Sequence, residues 1–274
     1  MNLLKIDIDK CQRDRICALE CPGRLIEFPE KNSYPTLVEY AEDLCIRCGH
    51  CIAVCPHGAL TLENTTPEEL DLLNRDLLPT LEQVRHFLTS RRSTRVYKKQ
   101  PLSRNQLQDL INIANYAPTG SNKQQVYWLV IEDSIEVKRL SGLVIDWMRM
   151  LLQQSQDEET NRRYVRIIEA WDNGMDRICR GAPHLMIAHA PEDIFGAGVD
   201  CIISLSYLEL AAYSMDLGSC WAGYFNIAAN YYPPLQEALN LPQGHRTFGA
   251  MMIGYPVYKY FRIPLRKQPK VTWK

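Results

Sequence analysis

Cysteine spacing constrains the N-terminal part of this chain more than any other feature of the sequence. Seven of the ten cysteines lie between residues 11 and 55, in two runs that each end in Cys-Pro. The second run, from Cys45 to Pro56, has the spacing C-x2-C-x2-C-x3-C-P. The first run, from Cys11 to Pro22, has the same spacing once Asp14 is placed at the second ligand position. This spacing is typical of proteins with two iron–sulfur clusters, in which three cysteines of a run bind one cluster and the fourth binds the other.

The paired runs predict two sets of ligands. Three thiolates on a tight loop reach three corners of a cubic cluster, and the fourth corner must be reached from another part of the chain. The first predicted set is Cys45, Cys48, Cys51 and Cys21. The second predicted set is Cys11, Cys17, Cys55 and Asp14, the last beside the fourth iron. A zinc site is the alternative, but zinc sites usually take two separated pairs of ligands rather than a run of four.

Asp14 leaves the composition of one cluster open. A carboxylate is a harder ligand than a thiolate. Asp14 therefore either ligates the fourth iron of a 4Fe-4S cluster or lies in solvent beside a 3Fe-4S cluster that three cysteines hold. Residues 1–63 otherwise resemble the bacterial two-cluster ferredoxins, a family in which this variation occurs. The resemblance implies a ferredoxin-like iron–sulfur domain over these residues.

Composition limits the classes of partner and location. At 274 residues, with 46% hydrophobic and 23% charged residues, the chain exceeds one ordinary domain and can form a hydrophobic core. Its formal net charge of −1 argues against a nucleic acid or an anionic membrane as partner, because both attract basic surfaces. Charges at Lys5, Asp7 and Asp9 interrupt any signal-peptide apolar region, and no apolar run approaches the roughly 18 residues of a membrane span. Cluster-binding cysteines also favour a reducing compartment, so a cytoplasmic location is predicted.

Residues 64–90 are predicted to form a helical connector. The segment Thr66-Pro-Glu-Glu69 combines an N-cap, a proline at the first helical position and a capping-box glutamate. Leucines at helical spacing follow it, and Pro79 then interrupts the pattern. The apolar residues of the two predicted helices are Leu70, Leu73 and Leu77, then Leu81, Val84 and Leu88.

Residues 91–274 alternate helices and strands, which predicts an α+β domain. A capping box at Ser103-Arg-Asn-Gln106 begins one helix. Residues 199–217 are apolar on nearly every face, so they predict a buried helix that a cap at Gly218 ends. The predicted strands are Val126–Ile131, Leu185–Ala188 and Phe248–Ile253. The cysteines expected to be buried core residues are Cys179, Cys201 and Cys220.

Two polar segments of this domain are candidate cofactor sites. Arg91-Arg92-Ser93-Thr94-Arg95 combines guanidinium groups with hydroxyls, which suits a phosphate group, although a solvated helix end is the ordinary alternative. Residues 117–124 are rich in turn formers and precede a strand. The amides of Asn122 and Gln124 in this segment can both donate and accept, as the imide edge of a planar heteroaromatic ring requires. An ordinary polar turn is the alternative for the second segment.

Four segments, in order along the chain, resemble the nitroreductase family of FMN-dependent oxidoreductases. They are Arg91–Arg95, Ala117–Gln124, Leu217–Gly223, and Gly254–Pro256 with Arg266 and Lys267 beyond it. The chain departs from the family at Gln125-Val126, where Pro-Trp is usual. By resemblance, Asn122 faces the isoalloxazine, with Gln124 as the second amide, and Arg266, in preference to Lys267, completes the phosphate site. The residues implied at the phosphate and the ring edge are Arg91, Ser93 and Arg95, with Arg92 beside them.

The resemblance also implies an architecture and an activity. The expected fold is an α+β sandwich that forms a homodimer with FMN at the interface, so the domains become 1–63, a 64–90 linker and 91–274. FMN accepts single electrons and delivers two to an organic molecule. We therefore expect an enzyme that passes electrons from a low-potential donor, either NAD(P)H or a reduced ferredoxin, through two clusters to FMN. The expected acceptor is a nitro compound, a quinone or an activated alkene. The alternative is an adaptor that relays electrons to a protein partner, and no catalytic acid–base side chain is predicted.

Overall fold

The computed structural model describes residues 3–154 and 157–274 of the chain. The chain divides into two compact units, each with its own core. The first unit ends at Pro79 and also includes Ser121–Lys123, and the second comprises Thr80–Gly120 and Gln124–Lys274. The division at Pro79 lies inside the predicted connector.

Short elements surround a small apolar core in the first unit. In chain order they are β1 (Leu4–Ile6), α1 (Ile16–Glu20), β2 (Ile26–Glu27), β3 (Thr36–Leu37), α2 (Ala41–Leu44), α3 (His50–Ala53) and β4 (Leu60–Leu62). Strand β1 pairs with β4, and β2 pairs with β3, both antiparallel. Cysteines of both runs belong to this core or pack against it. Most of the candidate ligands therefore belong to the core of the first unit or pack against it.

The first predicted helix of the connector is wrong. Residues 63–79, all of which the structure describes, contain two 3-10 turns, Pro67–Glu69 and Arg75–Leu77. The capping box is confirmed, because the backbone N–H of Thr66 donates to Oε2 of Glu69 at 2.7 Å. The helix does not continue because two of its three leucines gain little burial: Leu70 packs against the core of the first unit, but Leu73 and Leu77 are 73% and 79% exposed. The second predicted helix is confirmed as α4 (Leu81–Ser90), which begins at the capping box of Thr80 and Gln83.

One antiparallel sheet forms the centre of the second unit. Its strands are β5 (Tyr127–Ile131), β6 (His184–Pro191), β7 (Gly218–Trp221) and β8 (His245–Gly254), in the order β5, β6, β8, β7. The three predicted strands are confirmed with different bounds. Strand β7 was not predicted, because a four-residue segment that begins Gly-Ser carries little strand signal of its own.

Helices cover both faces of this sheet. They are α5 (Arg104–Ala114), α6 (Ser134–Gln154), α7 (Glu158–Asp172), α8 (Ala197–Ser214), α9 (Gly223–Tyr231) and α10 (Pro233–Leu239). Along β6, Leu185 and Ile187 pack with α6, α7, α9 and α10, whereas Met186 and Ala188 pack with α5 and α8. This alternation is the period-two pattern of a strand that is buried on both faces. The predicted α+β class is confirmed.

Helix α8 is the predicted buried helix, but it ends earlier than predicted. Its last residue is Ser214, and the chain turns at Asp216, whose φ of 56° lies in the left-handed region. Gly218 is therefore not the cap of α8 but the first residue of β7. The burial predicted for the three remaining cysteines is confirmed. Across residues 3–154 and 157–274, no helix combines the length and apolar character needed to cross a bilayer.

Candidate functional site

The first predicted ligand set surrounds one cavity of the first unit. Its thiols come from both runs, because Cys21 joins three cysteines of the second run. Apolar side chains complete the wall. The lining residues that matter here are Cys21, Cys45, Cys48, Cys51, Leu4, Leu25 and Leu62. Four thiols around one apolar cavity fit an iron–sulfur cluster in the chemistry of their donor atoms.

The second predicted ligand set lines another cavity. Its ionisable lining residues are Cys11, Asp14, Cys17, Cys55 and His57. One oxygen of Asp14 accepts a hydrogen bond from the backbone N–H of Ile16 at 3.2 Å, and the other lies 3.8 Å from Nε2 of His57. Asp14 is therefore part of the cavity wall, beside the three thiols of its set. His57 lines this cavity as well.

Left-handed residues bend the backbone between the ligand positions. Arg13 and Arg15 in the first run have φ of 58° and 67°, and Arg47 and Gly49 in the second have 51° and 73°. Such residues reverse the chain over a short distance, which a loop wrapped around a small cavity requires. Side chains other than glycine adopt this conformation at a cost, so its repetition in both runs indicates a site that the fold enforces.

The last cysteine of each run accepts a backbone hydrogen bond. The N–H of Leu25 donates to Sγ of Cys21, and the N–H of Ala59 donates to Sγ of Cys55, both at 3.4 Å. Each donor lies four residues after its cysteine. A positive dipole at this sulfur stabilises a thiolate and, in a cluster, tunes the reduction potential. The two runs therefore repeat one local structure as well as one spacing.

Burial acts on the cysteine at the third ligand position of each run. It raises the pKa of Cys17 and of Cys51 to about 11, because a low-dielectric environment disfavours the charged thiolate. Binding of iron by these thiols therefore releases protons. In the part of the chain that the structure describes, no three His, Cys, Asp or Glu side chains converge closely enough to hold a single metal ion.

A basic cavity of about 1030 Å³ lies in the second unit. Its wall is formed by the end of α4, the segment after it, the C-terminal end of α8 and residues 255–263. The cationic residues of the wall are Arg91, Arg92, Lys98, Lys259 and Arg262. Among the described residues that line the cavity, Asp216 is the single carboxylate, and the aromatic residues are Tyr213, Tyr255, Tyr258, Tyr260 and Phe261. An excess of cations beside aromatic walls fits an anionic, planar molecule such as FMN.

The predicted phosphate segment is only partly on this cavity. Arg91 and Arg92 line it, whereas Ser93 and Arg95 do not. The carbonyl oxygen of Ser93 accepts hydrogen bonds from the hydroxyl of Tyr260 at 3.2 Å and from Nη1 of Arg95 at 3.4 Å. Burial raises the pKa of the neighbouring Cys220 thiol, and the positive charge of Arg95 opposes that shift. The residues of this segment therefore do not share one environment.

Arg91 is held by a residue that sequence reasoning missed. Its Nη1 donates to Oε1 of Glu209 on α8 at 3.0 Å. One turn later on α8, the hydroxyl of Tyr213 lies 2.7 Å from Oγ of Ser90. A signal existed in the sequence, because Asp200 and Glu209 are the two charged residues of an otherwise apolar helix. A carboxylate in such a position predicts a specific partner.

The turn-rich segment before β5 is fixed at both ends in the second unit. The N–H of Gly120 donates to both carboxylate oxygens of Asp200, at 3.1 and 3.2 Å, and the N–H of Gln124 donates to Oγ1 of Thr119 at 3.0 Å. Ser121 and Gln124 both have a φ of 51°. Asp200 was likewise missed from the sequence. Strained residues held in place by a buried carboxylate are typical of a functional loop.

Asn122 groups with the first unit. Its φ is 53°, and its Nδ2 donates to the carbonyl oxygens of Ile46 and Arg47, both at 3.1 Å. These carbonyls belong to the second cysteine run, between Cys45 and Cys48. The role of Asn122 and Gln124 at the isoalloxazine stays a prediction.

The C-terminal basic residues occupy two situations. Arg266 and Lys267 are exposed in an irregular segment and do not line the basic cavity. Lys259 and Arg262 do line it, and the sequence analysis did not single them out. The sequence could have indicated them, because both are basic residues in the same segment as Arg266, after the last strand. The choice of Arg266 for the phosphate stays a prediction.

Comparison with known proteins gives two matches along the chain. A model of the Nitroreductase family matches residues 88–255, and a model of the 4Fe-4S dicluster domain matches residues 9–59. The chain is 27% identical to the FMN reductase (NAD(P)H) of Bacillus subtilis (strain 168) over 198 residues, which is 70% of this chain and 73% of that protein. It is 37% identical to a ferredoxin of Streptomyces griseus over 57 residues, or 21% of this chain and 50% of the ferredoxin.

Two solved structures of nitroreductases have a fold similar to that of this chain. A nitroreductase with bound FMN from Bacteroides fragilis NCTC 9343 superposes with a TM-score of 0.58 at 20% identity, covering 69% of this chain and 97% of that one. A nitroreductase with bound FMN from Desulfitobacterium hafniense DCB-2 gives 0.57 at 22% identity, covering 71% and 99%.

Proposed function

Because the chain belongs to the nitroreductase family, we propose that it passes electrons from a low-potential donor through two iron–sulfur clusters to FMN and on to a small organic acceptor. At a coarser level, it is a nitroreductase-type FMN oxidoreductase with a 4Fe-4S ferredoxin-like domain. The observation that carries the proposal is the separation of the eight candidate cluster ligands into two cavities of four. When bound, FMN supplies the exchange between single electrons and a hydride.

The cysteine runs hold the two clusters in this proposal. The first cluster is bound by Cys45, Cys48, Cys51 and Cys21, and the second by Cys11, Cys17 and Cys55 with Asp14 at its remaining corner. The hydrogen bonds to the sulfurs of Cys21 and Cys55 stabilise the charge of the last thiolate in each run. The second cluster is 4Fe-4S if Asp14 or another ligand reaches the fourth iron, and 3Fe-4S otherwise.

The basic cavity holds the phosphate end of the flavin. Arg91 and Arg92, which line the cavity, would donate charge-assisted hydrogen bonds to the phosphate. Ser93 and Arg95, which lie in the same segment but not on the cavity wall, are proposed as ligands on the family resemblance alone. A cation from the C-terminal segment completes this shell, and Arg266 is the family choice. The aromatic side chains of residues 255–261 form part of the wall of this cavity. Asn122 and Gln124 face the isoalloxazine edge.

The remaining parts of the proposal concern organisation. The functional domains are residues 1–63 and 91–274, with 64–90 between them. The protein works as a homodimer in the cytoplasm. Its donor is a reduced ferredoxin or NAD(P)H, and its acceptor is a nitro compound, a quinone or an activated alkene. Exposed apolar residues on α8, such as Val199 and Ile202, support a second copy as a partner.

The test follows electrons into the purified protein under anaerobic conditions. Reduced ferredoxin, NADH and NADPH are each added, and the visible spectrum reports the clusters and the flavin. We compare the wild type with a Cys45→Ala/Cys48→Ala variant, which loses two ligands of one cluster, and with Cys201→Ala, which removes a buried thiol outside both runs. The expected result is that reduction of the flavin by ferredoxin is lost only in the double variant, while dithionite still reduces its flavin. Reduction of the flavin by ferredoxin at the wild-type rate in the double variant would overturn the proposed route.

A steady-state assay separates the enzyme from an electron-transfer adaptor. The purified protein is supplied with the donor that reduces it and with a small nitroaromatic compound. An enzyme turns this acceptor over without any further protein. An adaptor stays reduced until its protein partner is added.

A further inference from the structure

The ion pair between Glu209 and Arg91, a predicted phosphate ligand, is mostly buried. The Arg91 and Glu209 side chains are 21% and 12% exposed, and Nη1 of Arg91 lies 3.0 Å from Oε1 of Glu209. By contrast, the Arg104–Glu132 pair of the same unit is 81% and 39% exposed. Burial removes most of the solvent screening that weakens surface ion pairs. The free energy of the Arg91–Glu209 pair therefore depends strongly on the position of the Glu209 carboxylate.

Glu209 occupies a rigid position. It lies in the last turns of α8, whose other residues from Cys201 to Ser214 are uncharged. Its partner is Arg91, the C-cap residue that follows α4 and begins the phosphate segment. A buried carboxylate in an apolar helix is costly unless it has a partner, and Arg91 is the partner that the described structure provides.

A guanidinium group carries five N–H donors, and the bond to Glu209 uses one of them. Arg91 also lines the basic cavity, so a donor not used by Glu209 can serve an anion bound there. An arginine fixed on one side by a carboxylate loses less conformational entropy when an anion binds on the other side. The carboxylate therefore prepares Arg91 for an anion even though its own charge is negative.

We propose that Glu209 is a positioning residue for the flavin phosphate, acting by holding the Arg91 guanidinium at the cavity wall. This inference rests on the proposed function, in which Arg91 binds the phosphate. Glu209 itself does not contact the flavin. Its contribution is the orientation of Arg91, so a side chain that keeps the hydrogen bond without the charge preserves it.

The test measures flavin affinity on full-length, flavin-free protein prepared anaerobically so that the clusters are retained. Quenching of flavin fluorescence gives the Kd of FMN and of riboflavin, which lacks the phosphate. Arg91→Ala and Glu209→Ala are each expected to weaken FMN by about tenfold, the effect of one charge-assisted bond, and to leave riboflavin unchanged. Glu209→Gln, whose amide oxygen still accepts from Arg91, is expected to stay within about threefold of the wild type. Glu132→Ala serves as the matched control, because it breaks an arginine pair whose residues do not line the cavity.

The Arg91→Ala/Glu209→Ala double variant completes the cycle. If Glu209 acts through Arg91, the double variant binds FMN as weakly as Arg91→Ala alone. Additive losses would overturn the inference, as would equal weakening of FMN and riboflavin by Glu209→Ala, which indicates a general structural defect. If Glu209→Ala does not fold, Glu209→Asp, which withdraws the carboxylate by one methylene, takes its place in the cycle.

The same data distinguish the two ways of failing. An Arg91→Ala variant with unchanged FMN affinity contradicts the proposed phosphate site, and the inference falls with it. If Arg91→Ala lowers the affinity for FMN but Glu209→Ala does not, the result contradicts only the positioning role of Glu209.

Discussion

Thr94 lies directly against the backbone of Gly218. A Cβ placed on Gly218 would be 2.5 Å from Oγ1 of Thr94 and 2.7 Å from its Cβ. The N–H of Thr94 also donates to the carbonyl oxygen of Ser219 at 2.8 Å. The start of β7 therefore fixes the position of the phosphate segment, because Thr94 is the buried residue of that segment.

The first prediction concerns this close approach. Gly218→Ala should lower the free energy of unfolding of the second unit by about 1–3 kcal/mol, because the methyl group overlaps Thr94. It should also weaken the binding of FMN, because the phosphate segment on either side of Thr94 must move. Gly142→Ala is the matched control, because its Cβ would meet Trp171 at an ordinary 3.4 Å. Chemical denaturation and FMN titration are the measurements, and equal behaviour of the two variants would contradict the prediction.

A second prediction concerns the cluster beside Asp14. Purified protein should contain roughly six to eight irons and as many acid-labile sulfides per chain, as two clusters require. Asp14→Cys should convert any three-iron signal in the electron paramagnetic resonance spectrum to a four-iron signal, because the residue lines the cavity of its ligand set. A spectrum that does not respond to the substitution would place Asp14 away from the open corner. About one zinc per chain would contradict both clusters.

The third prediction separates the C-terminal cations. The family resemblance assigns the phosphate to Arg266, whereas Arg262 lines the basic cavity. Replacing the phosphate ligand with alanine should weaken FMN by about 1.5–3 kcal/mol, as the loss of a bond to a charged group does. We expect this loss in Arg266→Ala, with Lys267→Ala as its neighbouring control. A loss in Arg262→Ala without one in Arg266→Ala would transfer the role to Arg262.

The fourth prediction concerns acid stability. Nδ1 of His189 lies 2.9 Å from Nδ1 of His245, and the His189 ring stacks on Tyr127. Burial, with a smaller effect of His245, lowers the pKa of His189 to about 4 from 6.5. The unfolded chain therefore binds a proton in this interval that the folded chain does not, and the stability contributed by neutral His189 is lost as pH falls from 6.5 to 4.

We expect this residue to contribute about 2–3 kcal/mol to the fall in the free energy of unfolding across that interval. His189→Asn keeps a hydrogen-bond donor for His245 but has no titrating group, so the profile of the variant should be flatter. Denaturation of both proteins at pH 7 and pH 4.5 measures the difference. Parallel profiles for the two proteins would exclude His189 as a source of acid sensitivity.

The extent to which sequence predicted structure depended on how local each signal was. Cysteine spacing is local, and the ligands it paired across two runs line two common cavities. The capping boxes at Thr66, Thr80 and Ser103 are also local, and all three formed. Burial is not local, so Leu73 and Leu77 had the right spacing for a helix but remain exposed.

Partners distant in the sequence were the other limit. Glu209 is 118 residues from Arg91. The sequence could mark Glu209 as an anomalous charge in an apolar helix, but it could not identify the residue that faces it. Strand β7 was missed for the same reason, because its four residues become a strand through pairing with β8.

The exchange of last cysteines between the two cavities affects how the protein can be made. During translation, residues leave the ribosome in order. With the proposed ligand sets, one site gains its last thiol at Cys51 and the other at Cys55, so both become complete within four residues of each other. A nascent chain that ends before Cys51 has no complete site, although it already contains every cysteine of the first run. With these ligand sets, neither cluster can have all of its protein ligands until the second run has been made.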